Sequence, residues 1–140
     1  MTFQEKSAWV MCLALGLSGA FYAMLILNAA NASQSVPPPN GVGMGIGVVI
    51  IVAIAIFGHA VAAIGNPVDA NAPEDERDRL VVWRAGNLSG VLLGALCMIS
   101  IAVYAVLQNG HLLFHTLIAG LVISQFAEYA LTIWYYRRGV

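Results

Sequence analysis

Formal charge is what this sequence has least of. Seven residues of 140 are acidic and six are basic, 9% of the chain, against about 25% in an ordinary soluble domain. Hydrophobic residues make up 60%. A soluble domain this small cannot hide so much apolar surface from water, so the composition excludes a soluble enzyme, a disordered chain and a nucleic-acid binder. The net charge of −1 exerts no strong pull toward DNA or anionic lipid. Cysteine is scarce too. Cys12 and Cys97 fall at different depths without CxxC spacing, which argues against thiol–disulfide chemistry; they read as small buried hydrophobes. There is no nucleophile–base arrangement, phosphate loop or pair of catalytic carboxylates, so neither an enzyme nor a cofactor is expected.

The missing charges leave two long gaps. No Asp, Glu, Lys or Arg stands between Lys6 and Asp69, and none between Arg84 and Glu128. A membrane helix takes about 20 apolar residues, so each gap suits two. The first is broken by Asn31-Ala32-Ser33-Gln34-Ser35-Val36-Pro37-Pro38-Pro39-Asn40, where three prolines cannot continue a helix and favour extended chain. The second is broken by the turn signal Gln108-Asn109-Gly110. The chain therefore reads as one all-α membrane domain, a four-transmembrane-helix bundle. Its spans lie near 8–28, 42–65, 86–107 and 112–135, with a polar loop over 66–85.

All six basic residues then fall on one side: Lys6, Arg77, Arg79, Arg84, Arg137 and Arg138. By the positive-inside rule both termini and the 66–85 loop are cytoplasmic. Trp9, Trp83 and Trp134, with Tyr135 and Tyr136, suit an aromatic belt at that interface. Ala30-Asn31-Ala32 resembles a signal-peptide cleavage site, but the apolar run before it exceeds a signal core of about 7–15 residues. The first span reads as an uncleaved helix.

Small residues mark helix faces. Gly86, Gly90 and Gly94 form a stripe on the third span, and Gly41, Gly43, Gly45 and Gly47 open the second with two overlapping GxxxG steps. Such stripes let helices approach closely. Packing within the chain is the favoured reading here, and a homodimer seam is the alternative. No proline interrupts a span, and the broken helices of many transporters are missing.

In the polar loop, Asn71, Pro73 and Glu74 spell a helix start. One long helix is expected from about residue 72 to 107. Asp75–Arg79, Glu74–Arg77 and Glu76–Arg79 have helical pair spacing. Asp75, Glu76, Arg77, Asp78 and Arg79 thus form either a solvated helix end or a docking surface for a partner.

Glu128 is the sole formal charge inside a span. A carboxylate there must be paired, hydrated or protonated. Ser124 and Gln125 share its face, and His59 falls at a similar depth on the second span. These four residues form the candidate intramembrane polar centre, with His59 and Glu128 expected in contact, directly or through water. The centre reads either as a register-fixing pair or as a proton relay or cation site. His111 and His115 lie one turn apart at the opposite membrane face and could chelate a metal. No acidic or thiolate ligand joins them, so a wet interfacial cluster is expected instead.

Phe3-Gln4-Glu5-Lys6-Ser7-Ala8-Trp9-Val10-Met11, Gly58-His59, the run Asp69 to Leu80 and Tyr135-Tyr136-Arg137-Arg138-Gly139 resemble an uncharacterised family of small bacterial membrane proteins. The Asp-Glu-Arg-Asp-Arg run is similar to a domain-of-unknown-function family of prokaryotic membrane proteins. The resemblance implies a four-helix protein of the bacterial cytoplasmic membrane and brings no activity, substrate or catalytic residue. Small multidrug transporters make a poor match, because their membrane carboxylate lies in the first helix and this first span has none. The leading expectation is a non-enzymatic interaction or regulatory module in the lipid bilayer, acting through a homodimer or another protein. The alternative is a small proton- or cation-coupled transporter using Glu128 and His59. An enzyme or electron carrier with a bound cofactor is a third, weaker class.

Overall fold

A computed structural model describes residues 2–65 and 75–138. Four helices account for nearly all of them: α1 Phe3–Ser33, α2 Gly41–Ile64, α3 Glu76–Leu107 and α4 Gly110–Arg138. Each is long and apolar enough to cross a membrane, as the charge gaps require. Helices rise about 1.5 Å per residue and the hydrocarbon core is about 30 Å thick. α1, α3 and α4, of 31, 32 and 29 residues, therefore extend past it, and the helical ends reach beyond the sequence-based spans.

The helix ends follow local chemistry. Thr2 caps α1 by accepting from the Glu5 amide at 3.3 Å, and Asn40 caps α2 by accepting from the Gly43 amide at 2.8 Å. These side chains satisfy donors that have no partner inside the helix. Gln34 and Gln108 take left-handed conformations at φ 53° and 52° and stop α1 and α3. The Asn109 side chain then accepts from the Leu112 amide at 3.0 Å and starts α4.

The start of α3 differs from expectation. Asp75 is extended, with φ −74° and ψ 155°. Its carboxylate accepts from the Glu76 amide at 2.7 Å. The helix therefore begins at Glu76 rather than near 72. Asp75 occupies the cap that the spacing gave to Asn71, because its carboxylate meets both the unpaired amides and the positive end of the helix dipole. Asn71, Pro73 and Glu74, and the Glu74–Arg77 pair, lie outside the described residues.

The packing order is α2–α1–α4–α3. α1 meets α2 through Ser7, Val10, Ser18 and Leu25. It meets α4 through Glu5, Cys12, Gly16 and Gly19 on its other side. Membrane helices gain little from hydrophobic burial against each other, so close van der Waals packing at small residues holds them. A Cβ on Gly43 would lie 2.8 Å from Leu25, and one on Gly47 would lie 3.0 Å from the Ser18 hydroxyl. A Cβ on Gly58 would clash with Val10. On α4, Phe126 fits Gly16 and Val122 fits Gly19, while Gly120 receives Leu96 of α3. Ala8, Cys12 and Ile133 form the small core, with Tyr129 and Ala130 against it.

The stripe on α3 behaves differently from the packing expected of it. Gly86 faces Glu128, but a Cβ on Gly90 or Gly94 would meet nothing within 4 Å. Among the described residues no helix packs against these two glycines. α3 is also the least covered helix, with 6% of its most apolar stretch buried against 22% for α1 and α4.

Candidate functional site

The expected contact between His59 and Glu128 does not form. α1 stands between their helices, and each side chain has other partners. His59 Nδ1 lies 2.6 Å from the Ala55 carbonyl and Nε2 lies 2.7 Å from the Ser7 hydroxyl. A carbonyl can only accept, so Nδ1 carries the proton and Nε2 accepts from Ser7. The ring is thereby satisfied on both sides, and it ties α2 to α1.

Glu128 belongs to the α3–α4 seam. Its Oε2 lies 3.2 Å from the Ser89 hydroxyl and 3.3 Å from Gln125 Nε2, and Oε1 is 3.7 Å from where a Gly86 Cβ would stand. Gly86 thus borders the carboxylate at ordinary contact distance. The single Ser89 proton is shared between Glu128 and the Gly86 carbonyl, 3.0 Å away. Ser124, expected in this centre, is buried and donates to the Leu121 carbonyl of its own helix at 3.0 Å. Gln125 is exposed and Glu128 half-buried. No cation accompanies Glu128 among the described residues. A carboxylate–amide pair therefore opens onto one face of the helix row at membrane depth. Gly86 lies beside it, and Gly90 and Gly94 continue the same face of α3.

A second polar group lies at the opposite end. His115 Nε2–H donates to the Pro37 carbonyl at 3.0 Å, which leaves Nδ1 to accept from the Tyr22 hydroxyl at 3.3 Å. His115 thus pins the proline-rich connection to α4. His111 is exposed, and the described residues contain no group of three His, Cys, Asp or Glu side chains able to hold a metal.

The end bearing the charges is fastened by side chains. Tyr136 donates to Asp78 at 2.7 Å, and Arg77 donates to the Tyr136 carbonyl at 3.4 Å. Arg137 donates to Glu5 at 3.4 Å and lies 5.5 Å over the Trp9 ring, while Arg138 lies 4.6 Å over Trp134. The expected pairs Asp75–Arg79 and Glu76–Arg79 do not form; the Asp75 carboxylate caps the helix instead. Glu76 and Arg79 remain exposed and make no hydrogen bond or ion pair through their side chains among the described residues. Arg77 and Asp78 instead turn onto α4.

Sequence reasoning missed Ser7, Ser89 and Glu5 as partners. The usable signal was depth: each small hydroxyl lies at the level of the ionisable side chain it meets on the neighbouring helix.

The family described as "Predicted membrane protein (DUF2178)" matches residues 4–140. Comparison with curated proteins and with solved structures finds no match.

Proposed function

Because the chain belongs to the DUF2178 family of predicted membrane proteins, a family of unknown function, we propose that it is a non-enzymatic interaction module whose partner covers the open α3–α4 face. The carrying observation is the Glu128–Gln125 pair left open at membrane depth. Ionisable and polar groups inside a membrane face protein or water rather than lipid, so this face needs a cover. The exposed Gly90 and Gly94 let a helix approach closely there, and a second copy of the chain would bring an equal face. The module sits in the bacterial cytoplasmic membrane with both termini inside, a reading supported by the one-sided basic residues. Glu76 and Arg79 then offer a charged patch to the cytoplasm, held in place by the contacts of Asp78 and Arg77 with Tyr136.

A proton path through His59 and Glu128 has no support, since the two side chains are engaged on opposite sides of α1. The test of association uses Cys97, which lies on the Gly90–Gly94 face of α3. In native membranes of a Cys12→Ala variant, mild oxidation should yield a reducible species of twice the 14.8 kDa chain mass, and Gly94→Leu should abolish it. A chain that stays monomeric and uncross-linked to any protein would overturn the proposal.

A further inference from the structure

We propose that the cleft between α1, α2 and α4 binds a neutral amphiphile with one long apolar chain and a hydroxyl head, the head donating to the Tyr22 phenol oxygen. The cleft has a volume of about 600 Å³, within the range of about 300–1,000 Å³ typical of small-molecule sites. Gly19, Ile26, Gly47, Ile51, Ala119 and Val122 give it apolar walls. Leu27, Val48 and Ile123 on its rim are exposed, so it opens sideways to the membrane. Of its polar side chains, Tyr22 and His115 stand together toward the outer part, and Ser18 lies one turn deeper with its proton on the Gly47 carbonyl. An occupant therefore has one polar end and a chain that runs toward mid-membrane.

The chemistry of that end narrows the head. His115 donates to the Pro37 carbonyl and so can only accept from Tyr22. The Tyr22 proton is thereby used, and its oxygen keeps a free lone pair. Ser18 likewise spends its proton on the Gly47 carbonyl at 2.9 Å. The cleft offers an acceptor without a donor, so the head must bring its own hydrogen. That favours a hydroxyl over an ether, an ester or a ketone. Charge narrows it further. Every Lys and Arg of the chain is at position 6, 77, 79, 84, 137 or 138, toward the other end of the helices. A phosphate head would find no counter-charge. The acidic residues stand at positions 5, 69–78 and 128; the one inside a span, Glu128, is 13 positions from His115 on α4, about 20 Å along the helix, so a cationic head beside Tyr22 would find none either.

The test places the intact protein in phosphatidylcholine nanodiscs with octadecanol carrying a mid-chain diazirine as the probe. Photoadducts should concentrate on residues 18–19, 47–51 and 118–123. Plain octadecanol should displace the probe about tenfold better than its methyl ether or octadecyl phosphate, the worth of one hydrogen bond. Tyr22→Phe should erase that difference, and Ala119→Phe should fill the cleft and remove the adducts. Adducts spread evenly over the lipid-facing helices would overturn the proposal. So would equal displacement by the ether, or better displacement by the phosphate. The competition series on the unaltered protein decides the matter even where a variant does not fold.

Discussion

The Tyr136 hydroxyl donates to the Asp78 carboxylate at 2.7 Å, joining the last turn of α4 to the first turn of α3. The two residues are 58 positions apart, and their bond ties the charged end of α3 to α4. The Arg77 contact with the Tyr136 carbonyl adds a second link at the same place.

Tyr136→Phe should therefore loosen this end without disturbing the spans. A hydrogen bond to a partly buried carboxylate is worth about 1 kcal/mol, and unfolding in mild detergent should show a loss of that size. Limited proteolysis near residue 75 should quicken. Unchanged stability together with unchanged cleavage would mean that the bond does not hold the end.

Two glycines should respond in opposite ways. Gly58→Val drives side-chain atoms into Val10 and should cost about 1–3 kcal/mol, as overpacking does. Val10→Ala should restore part of that loss, seen as coupling in a double-mutant cycle. Gly90→Ala meets nothing within 4 Å among the described residues and should leave monomer stability within about 0.5 kcal/mol. A large loss at Gly90 in the monomer would mean that the packing order is wrong.

Ser89 and Glu128 should be coupled across the α3–α4 seam. Interhelical hydrogen bonds in membranes average about 0.6 kcal/mol in double-mutant cycles, and Ser89→Ala with Glu128→Gln should give a value near that. The same Glu128→Gln variant should leave proton and cation flux in liposomes unchanged from the native protein. Flux that the native chain supports and the variant loses would restore the transport reading.

How much could be read from residues alone follows from what each signal measures. Charge gaps measure transfer into the bilayer, so they located four helices and put the basic residues at one end. Depth estimates measure position along a helix axis only. They placed His59 and Glu128 at one level, yet said nothing of α1 standing between them. Glycine spacing is ambiguous for the same reason. Gly43 and Gly47 pack on α1 while Gly90 and Gly94 face outward, and nothing local separates the two cases. The Asp75 cap was hidden because Asn71, Asp75 and the acidic residues after it offer competing starts within a few positions.

The central claim is that the face bearing Gly90, Gly94 and the Glu128–Gln125 pair is covered by another chain. Oxidative cross-linking of Cys97 in native membranes, in a Cys12→Ala background, tests it most directly. The account predicts a reducible dimer band that Gly94→Leu abolishes. A Cys97 that reacts freely with a membrane-permeant maleimide, with no cross-linked species to itself or to any other protein, would contradict it.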